Sequence, residues 1–484
     1  MVIFDESLAH RLFLIYNMFT NNQKKDKLMN FIDLFSGCGG FSLGLLQSGM
    51  TGHLAIEKNE DAFSSLKKNL IEDDNFNYSW DEKLIPLKNH DIHLILNEHA
   101  KSLEKLSKEK NIDLIVGGPP CQGFSSAGRR NPADPRNQLA YDYLKIVSII
   151  NPKYIILENV KGIQYSFKDN TEAPVSSKIK EELSNLGYIP ISMIEDCADW
   201  GVPQNRNRFI LFGIKSSFFD ISLSKEGLLF LGRELEESLR RSLNDFQDEF
   251  LKKKGLTRDV SVSDAISDLK SYDKEGNEFE KSIAEDAPGN RFKRISSLHD
   301  VDSPYQKLMR KGKGGLELNL VPSGLRLANH TPIVVEKFRN LLNHLNDPEK
   351  RKLYSIERRK SLPALYAIGM MKTKKTIMRV LDSTKPSVTV TTLPDDILHY
   401  DEPRILTVRE CARLQSFPDW FEFSGNYTTG GDRRKNSCPK YTQVGNAVPP
   451  LMSEGIGLFM MNKMNDFIKN IDQKLIEKAK LKHP

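Results

Sequence analysis

From Asn30 to about Lys215, short apolar runs alternate with longer amphipathic ones, and this beat restricts the fold more than any other feature of the chain. "FIDLF" leads into a glycine turn and an amphipathic stretch, and "HLAIE" precedes "DAFSSLKKNL". "IDLIVGG" precedes a Pro-Pro-Cys loop and "QLAYDYLKIVSII", and "YIILENV" precedes "SSKIKEELSNLG". "PISMIEDC" and "RFILFGI" flank "ADWGVPQNRN" like a closing hairpin. Strands alternating with helices of this length predict an α/β fold with a mostly parallel sheet and helices on both faces. In such sheets ligands bind at the carboxyl ends of the strands.

From about Ser216 to Tyr400 the texture changes. Charge is dense and mixed, loops lengthen, and basic clusters recur in "LKKKG", "RFKR", "MRKGKGG", "IERRK" and "KTKK". This predicts a second, smaller and irregular domain. The tail from Tyr441 regains helical spacing and is expected to pack back on the first domain. The expected organisation is an extension over 1–29, a first domain over 30–215, a second over 216–440, and a returning segment over 441–484. The net charge of +6 is a weak pointer to a polyanionic partner. No apolar run approaches the ~18 residues of a membrane span. "MVIFDESLAHRLFLIYNMF" reads as an extension helix rather than a signal peptide, since acidic residues precede its apolar patch. The five cysteines, Cys38, Cys121, Cys197, Cys411 and Cys438, are scattered and form no CxxC pair. That spacing fits a reducing compartment and argues against a disulfide framework or a zinc site. His90 and His93 flank Asp91 without a third ligand nearby, so no metal is expected there.

"FIDLFSGCGGFSLGLL" reads as strand, tight turn and helix. Gly37, Gly39 and Gly40 allow the backbone to turn sharply and approach a ligand. Glu57 ends the next strand, about 20 residues on, where an acid commonly holds ribose hydroxyls. The glycine spacing is not GxGxxG, so an adenosine ligand without a pyrophosphate fits better than a dinucleotide. Asp91, after a weakly strand-like segment, is placed to reach the adenine. Ordinary βα-turn glycines are the competing reading. In "GGPPCQGFS" the prolines exclude helix ahead of Cys121 and present it on a constrained loop. A thiolate there would be a soft nucleophile. Cys197 and Cys411 read as buried small hydrophobes, Cys38 as a packing residue in the turn, and Cys438 as incidental. Glu158 ends an apolar strand, where a carboxylate needs a partner or a role. Arg206 and Arg208 alternate and would share one face of a strand, so an ion pair of Glu158 with either arginine is the structural alternative.

Thiolate, acid, arginines and an adenosine cofactor together suit one reaction. Carbon 5 of cytosine is a poor nucleophile. Addition of a thiolate to carbon 6, with an acid at N3, makes carbon 5 enamine-like and able to attack a sulfonium methyl. A base then removes the carbon-5 proton and the thiolate leaves, while an arginine on O2 holds the ring. A cytosine inside a duplex has to be flipped out first.

The chain resembles the bacterial DNA (cytosine-5)-methyltransferases. The resemblance rests on "DLFSGCGGFSLGL", the "IE" ending at Glu57, "GGPPCQGFS", "ENV", "GVPQNRNR", "RILTVRECARLQSFPDWF" and "YTQVGNAVPP". It implies a Rossmann-like domain for S-adenosyl-L-methionine, with S-adenosyl-L-homocysteine as product and no metal. It implies Cys121 as nucleophile, Glu158 as the acid at N3 and Arg208 on cytosine O2. Arg206 joins this catalytic group by position, on phosphate or in a structural role. Phe35, Gly37, Gly39, Glu57, Asp91, Ile92, Pro120, Leu139 and Asn446 match positions that line the cofactor site. Gln122, Ser125 and Ser126 match the loop that closes over DNA. The implied partner is double-stranded DNA, read by the region between "GVPQNRNR" and "RILTVRE". The implied setting is a cytoplasmic monomer, either guarding sites from a cognate restriction endonuclease or acting as a solitary methylase. Thr407 with Glu410 three residues on is a capping box, expected to organise the DNA-reading region rather than catalyse.

Two other readings carry less weight. A tRNA methylase of the same fold is opposed by the long basic insertion and the missing "CFT" signature. A non-catalytic relative is opposed by the intact cysteine and "ENV" acid.

Overall fold

The structure is a computed structural model and describes residues 29–120, 138–166, 173–272, 281–287, 290–313, 315, 320–351, 378–428 and 437–484. The expected extension helix before residue 29 lies outside these residues.

A six-stranded sheet forms the centre, in the order β2-β1-β3-β4-β6-β5. Its strands are β1 (Asn30–Leu34), β2 (Thr51–Ile56), β3 (Leu114–Gly117), β4 (Tyr154–Val160), β5 (Tyr188–Asp196) and β6 (Asn207–Lys215). β2, β1, β3 and β4 are parallel, and β6 runs antiparallel between β4 and β5. The expected hairpin is therefore present, and it completes a mostly parallel sheet.

Near-continuous apolar strands belong in a sheet covered on both faces. Side chains of period two divide between two cores. Phe31, Leu114, Val116, Tyr154 and Ile156 face one core, which also takes Leu43 and Leu45 of helix Gly40–Gln47 and Met452, Ile456 and Phe459 of helix Pro450–Asn462. Ile32, Ile115, Ile155 and Leu157 face the other, against helices Ile92–Glu98, Ala100–Lys110, Leu139–Ile150 and Val175–Asn185. Among the described residues, no helix is long and apolar enough to cross a membrane.

Helix Pro450–Asn462 lies against helix Gly40–Gln47 in the first core. A Cβ on Gly44 would lie 2.2 Å from Ser453 Oγ, so helices 40–47 and 450–462 approach almost backbone to backbone. Ser453 Oγ also donates to the Gly40 carbonyl at 3.1 Å.

Two expectations need correction. The segment before Asp91 is not a strand: residues 80–91 are turns and coil, and only an isolated bridge joins Gly52 to Tyr78 beyond β2. Pro86 and the polar run Lys88–Asp91 leave too little apolar length for a ladder. Nor does the packing break at residue 216. Lys225–Lys254 is a 30-residue helix, capped by Ser224 and ended by Gly255 at φ 68°. Its stripe Leu228, Leu231, Leu235, Leu239, Leu243, Phe246 and Phe250 is buried in the same core as β5. A Cβ on Gly232 would lie 2.3 Å from the Pro190 carbonyl, so the helix rides directly on that strand. Arg233, Glu234, Glu237 and Arg241 of the run "GRELEESLRR" are exposed on its outer face. The irregular part begins only after Gly255, with short helices and the hairpin Lys281–Ala287/Asn290–Ile295.

Candidate active site

The turn after β1 is strained in a way that matches its sequence. Phe35, Gly37 and Gly39 all take positive φ, at 60°, 56° and 92°. Among the described residues a Cβ on Gly37 would meet nothing within 4 Å, so this glycine answers to its dihedral rather than to crowding. Glu57 leaves the end of β2 and reaches back under the turn. Its carboxylate accepts from the Gly37 amide at 3.0 Å and the Asn59 amide at 2.7 Å. Burial raises its pKa, and the amide hydrogen bonds oppose that rise.

Some of the residues implied for the cofactor connect to this turn or to the core beside it. The His90 amide donates to the Glu57 carbonyl at 2.8 Å, which sets Asp91 beside the end of β2. Phe35 and Leu139 pack on the core that contains Ile92. Cys38 Sγ lies 3.7 Å from the Gln443 carbonyl, joining the turn to helix Lys440–Asn446, whose last residue is Asn446. Asp91 also has partners of its own. Its carboxylate caps helix Ile92–Glu98, accepting from the His93 amide at 2.9 Å, and pairs with Lys58 at 2.8 Å. A half-buried carboxylate with spare lone pairs at a parallel sheet's carboxyl edge suits ribose hydroxyls, so these residues fit an adenosine ligand.

The acid and one arginine meet across β4 and β6. Glu158 Oε1 lies 2.8 Å from Arg208 Nε, with side chains 13% and 10% exposed. Arg208 Nη1 also donates to the Asn207 carbonyl at 2.8 Å. The coil after Gly117 passes close to this pair. Asn159 Nδ2 donates to the Pro119 carbonyl at 3.0 Å, fixing the Pro119–Pro120 segment on the tip of β4. Pro120 is exposed. Cys121, Gln122, Ser125 and Ser126 follow it and lie outside the described residues.

Arg206 does not join this pair. It precedes β6, is 3% exposed, and donates to the carbonyls of Val390 (3.1 Å), Gly445 (2.9 Å) and Ala447 (3.4 Å). Strand spacing was the wrong ruler, because the chain is not yet in the sheet at that residue.

Two residues of this site escaped the sequence reading. One is Asn159, whose only signal was a polar residue at a strand tip. The other is Gly118, where a Cβ would lie 2.9 Å from Glu158 Oε2. That oxygen ends a side chain already tied to Arg208, so it cannot retreat freely. Gly118→Ala is expected to leave thermal stability nearly unchanged and to lower turnover about tenfold or more, by tilting the carboxylate off its line. Parallel melting and single-turnover measurements check this; full activity would show that the tilt does not matter.

The capping box forms as expected. Thr407 Oγ1 accepts from the Glu410 amide at 3.2 Å, and Glu410 Oε2 accepts from the Thr407 amide at 2.6 Å. The carboxylate is also held by Arg404, at 2.8 and 2.7 Å. Arg413 is fully buried between Asp268 and Asp419, at 3.1 and 2.6 Å. This helix thus ties the irregular region together. His90 engages the Pro86 carbonyl and His93 the Asp142 carboxylate. No group of three or more His, Cys, Asp or Glu among the described residues is placed to hold a metal.

The chain matches the model of the C-5 cytosine-specific DNA methylases over residues 29–461. It is 31% identical over 434 residues to the type II methyltransferase M.DdeI of Desulfomicrobium norvegicum, covering 88% of this chain and 87% of that one. It is 28% identical over 448 residues to the type II methyltransferase M1.HphI of Haemophilus parahaemolyticus, covering 90% and 87%. The fold is shared with a prophage-encoded protein from E. coli described as a DNA modification methyltransferase, at TM-score 0.57 and 24% identity over 90% of this chain and 99% of that one. With its mostly parallel sheet and its Glu158–Arg208 pair, the chain belongs to the C-5 cytosine-specific DNA methylase family.

Proposed function

We propose that the chain methylates cytosine through a covalent bond from Cys121, with Glu158 and Arg208 gripping a base flipped out of double-stranded DNA. Phe35, Gly37, Gly39, Glu57, Asp91, Ile92, Pro120, Leu139 and Asn446 hold the donor. When bound, S-adenosylmethionine supplies a methyl made electrophilic by its sulfonium, and S-adenosylhomocysteine is the product. The Cys121 thiolate bonds to carbon 6. Glu158 delivers a proton to N3, which takes up the electron pair and makes carbon 5 nucleophilic. Arg208 holds the carboxyl on one side and donates to cytosine O2 on the other. Once carbon 5 carries the methyl, a base takes its proton, the carbon–sulfur bond breaks to return the thiolate, and the N3 proton goes back to Glu158.

The observation that carries this reading is the Glu158–Arg208 pair under the Pro119–Pro120 segment that leads to Cys121. The irregular region after Gly255 is the proposed reader of the target sequence, with Gln122, Ser125 and Ser126 on the loop closing over the duplex. Likeness to type II methyltransferases supports protection against a restriction endonuclease of the same site. We place the chain in the cytoplasm as a monomer.

Bisulfite sequencing of plasmid from cells making this chain tests the proposal. The expected result is protected cytosine in one recurring motif, absent with a Cys121→Ser control. Soluble protein and no protected cytosine would overturn a DNA substrate and turn attention to tRNA.

A further inference from the structure

The stretch Gln204–Arg208 contributes at two depths. Arg208 reaches the base-holding acid, while Gln204 and Arg206 turn inward. Gln204 is fully buried; its Nε2 donates to the Leu414 carbonyl and to Gln415 Oε1, at 3.1 and 2.8 Å, and its Oε1 accepts from the Val390 amide at 2.8 Å. Arg206 takes the Val390 carbonyl and the carbonyls of Gly445 and Ala447. Those two carbonyls flank Asn446. Around them the backbone is locked: the Asn205 amide donates to Ser387 and the Ser387 amide to Pro203, at 2.8 and 2.9 Å. A Cβ on Gly445 would lie 2.4 Å from the Thr391 carbonyl, so the two segments touch backbone to backbone. Arg206 itself is pinned to the end of β5, its amide donating to Asp196 at 2.9 Å.

A buried guanidinium is weak evidence of stabilisation, since apolar packing often does as well without desolvating a charge. What it supplies is geometry, because a planar fork of fixed donors can hold carbonyls from two distant segments at set positions. We infer that Arg206 is a positioning residue for the cofactor site, holding the Asn446 loop and the 387–391 segment in register with the strand that carries Arg208. The inference rests on the reading that Asn446 lines the S-adenosylmethionine site. Arg206 then acts on donor affinity, and Arg208 on turnover, although they stand two residues apart.

Binding of S-adenosylmethionine to the full chain without DNA, together with kcat on DNA, tests this with Asn446→Ala, Arg206→Met and the double variant. Each single change is expected to weaken donor binding about tenfold, with a smaller fall in kcat at saturating donor. The double variant should lose little more than either, because both act through one loop. If Asn446→Ala weakens binding but Arg206→Met does not, the inference is wrong. If Asn446→Ala binds like the wild type, the cofactor reading of Asn446 fails first and the inference goes with it. Should Arg206→Met not fold, Arg206→Lys is read by amide hydrogen exchange. Faster exchange in 387–391 and 443–447, with β4 and β6 still protected, supports the role; unchanged exchange overturns it.

Discussion

Cys121→Ser is expected to abolish methyl transfer, a fall of about 10⁴-fold or more, while binding of S-adenosylmethionine and DNA persists. That is the scale on which losing the nucleophile of a covalent mechanism shows. A serine hydroxyl is not ionised near neutral pH and has no base assigned to it here. The other four cysteines cannot substitute. Cys38, Cys197 and Cys411 are buried, and Cys438 is half-buried. Burial pushes the thiols of Cys197 and Cys438 up to about 12, and those of Cys38 and Cys411 higher still, so none carries useful thiolate at pH 7. The measurement is transfer of a labelled methyl to DNA, beside equilibrium binding of each ligand. Turnover near the wild-type rate in the serine variant would remove the covalent route; loss of binding together with turnover would point to a collapsed loop instead.

The parts of the molecule legible in the sequence are those set by local rules. Short apolar runs alternating with longer amphipathic ones predict the sheet, and the pattern "PISMIEDC"/"RFILFGI" predicts its closing hairpin. Thr407 and Glu410 announce their capping box because both partners lie within one helical turn. The glycine turn and Glu57 are readable together because a βα unit fixes the distance between them. What escaped depends on contacts far apart in the chain. The helix Lys225–Lys254 was read as part of a separate domain, since its charge dominates composition and only its buried stripe shows that it covers β5. Glu158 had two candidate arginines, and only the bend of the chain before Asn207 decides for Arg208. Arg206 is fixed by residues some 180 to 240 positions away; no spacing rule within "QNRNR" carries that information.

Glu158→Gln is expected to slow methyl transfer by about 10²-fold or more, the usual range for removing a general acid. The change is isosteric. The glutamine carbonyl can still accept from Arg208 Nε where Glu158 Oε1 lies at 2.8 Å, and its amide nitrogen can still donate a hydrogen bond to N3 of a neutral cytosine. Base binding should therefore survive. What is lost is a proton that can be handed to N3 as the carbon–sulfur bond forms, so carbon 5 never gains full enamine character. The same substitution discharges one half of a nearly buried ion pair, which leaves the Arg208 guanidinium with a weaker partner and costs about 1–3 kcal/mol of stability. The two effects separate cleanly. Single-turnover rates report the chemistry, and thermal melting reports the pair. A slow enzyme that melts a few degrees lower is the expected outcome. A lower melting point with an unchanged single-turnover rate would mean that Glu158 serves only to anchor Arg208, and the acid at N3 would have to be sought elsewhere.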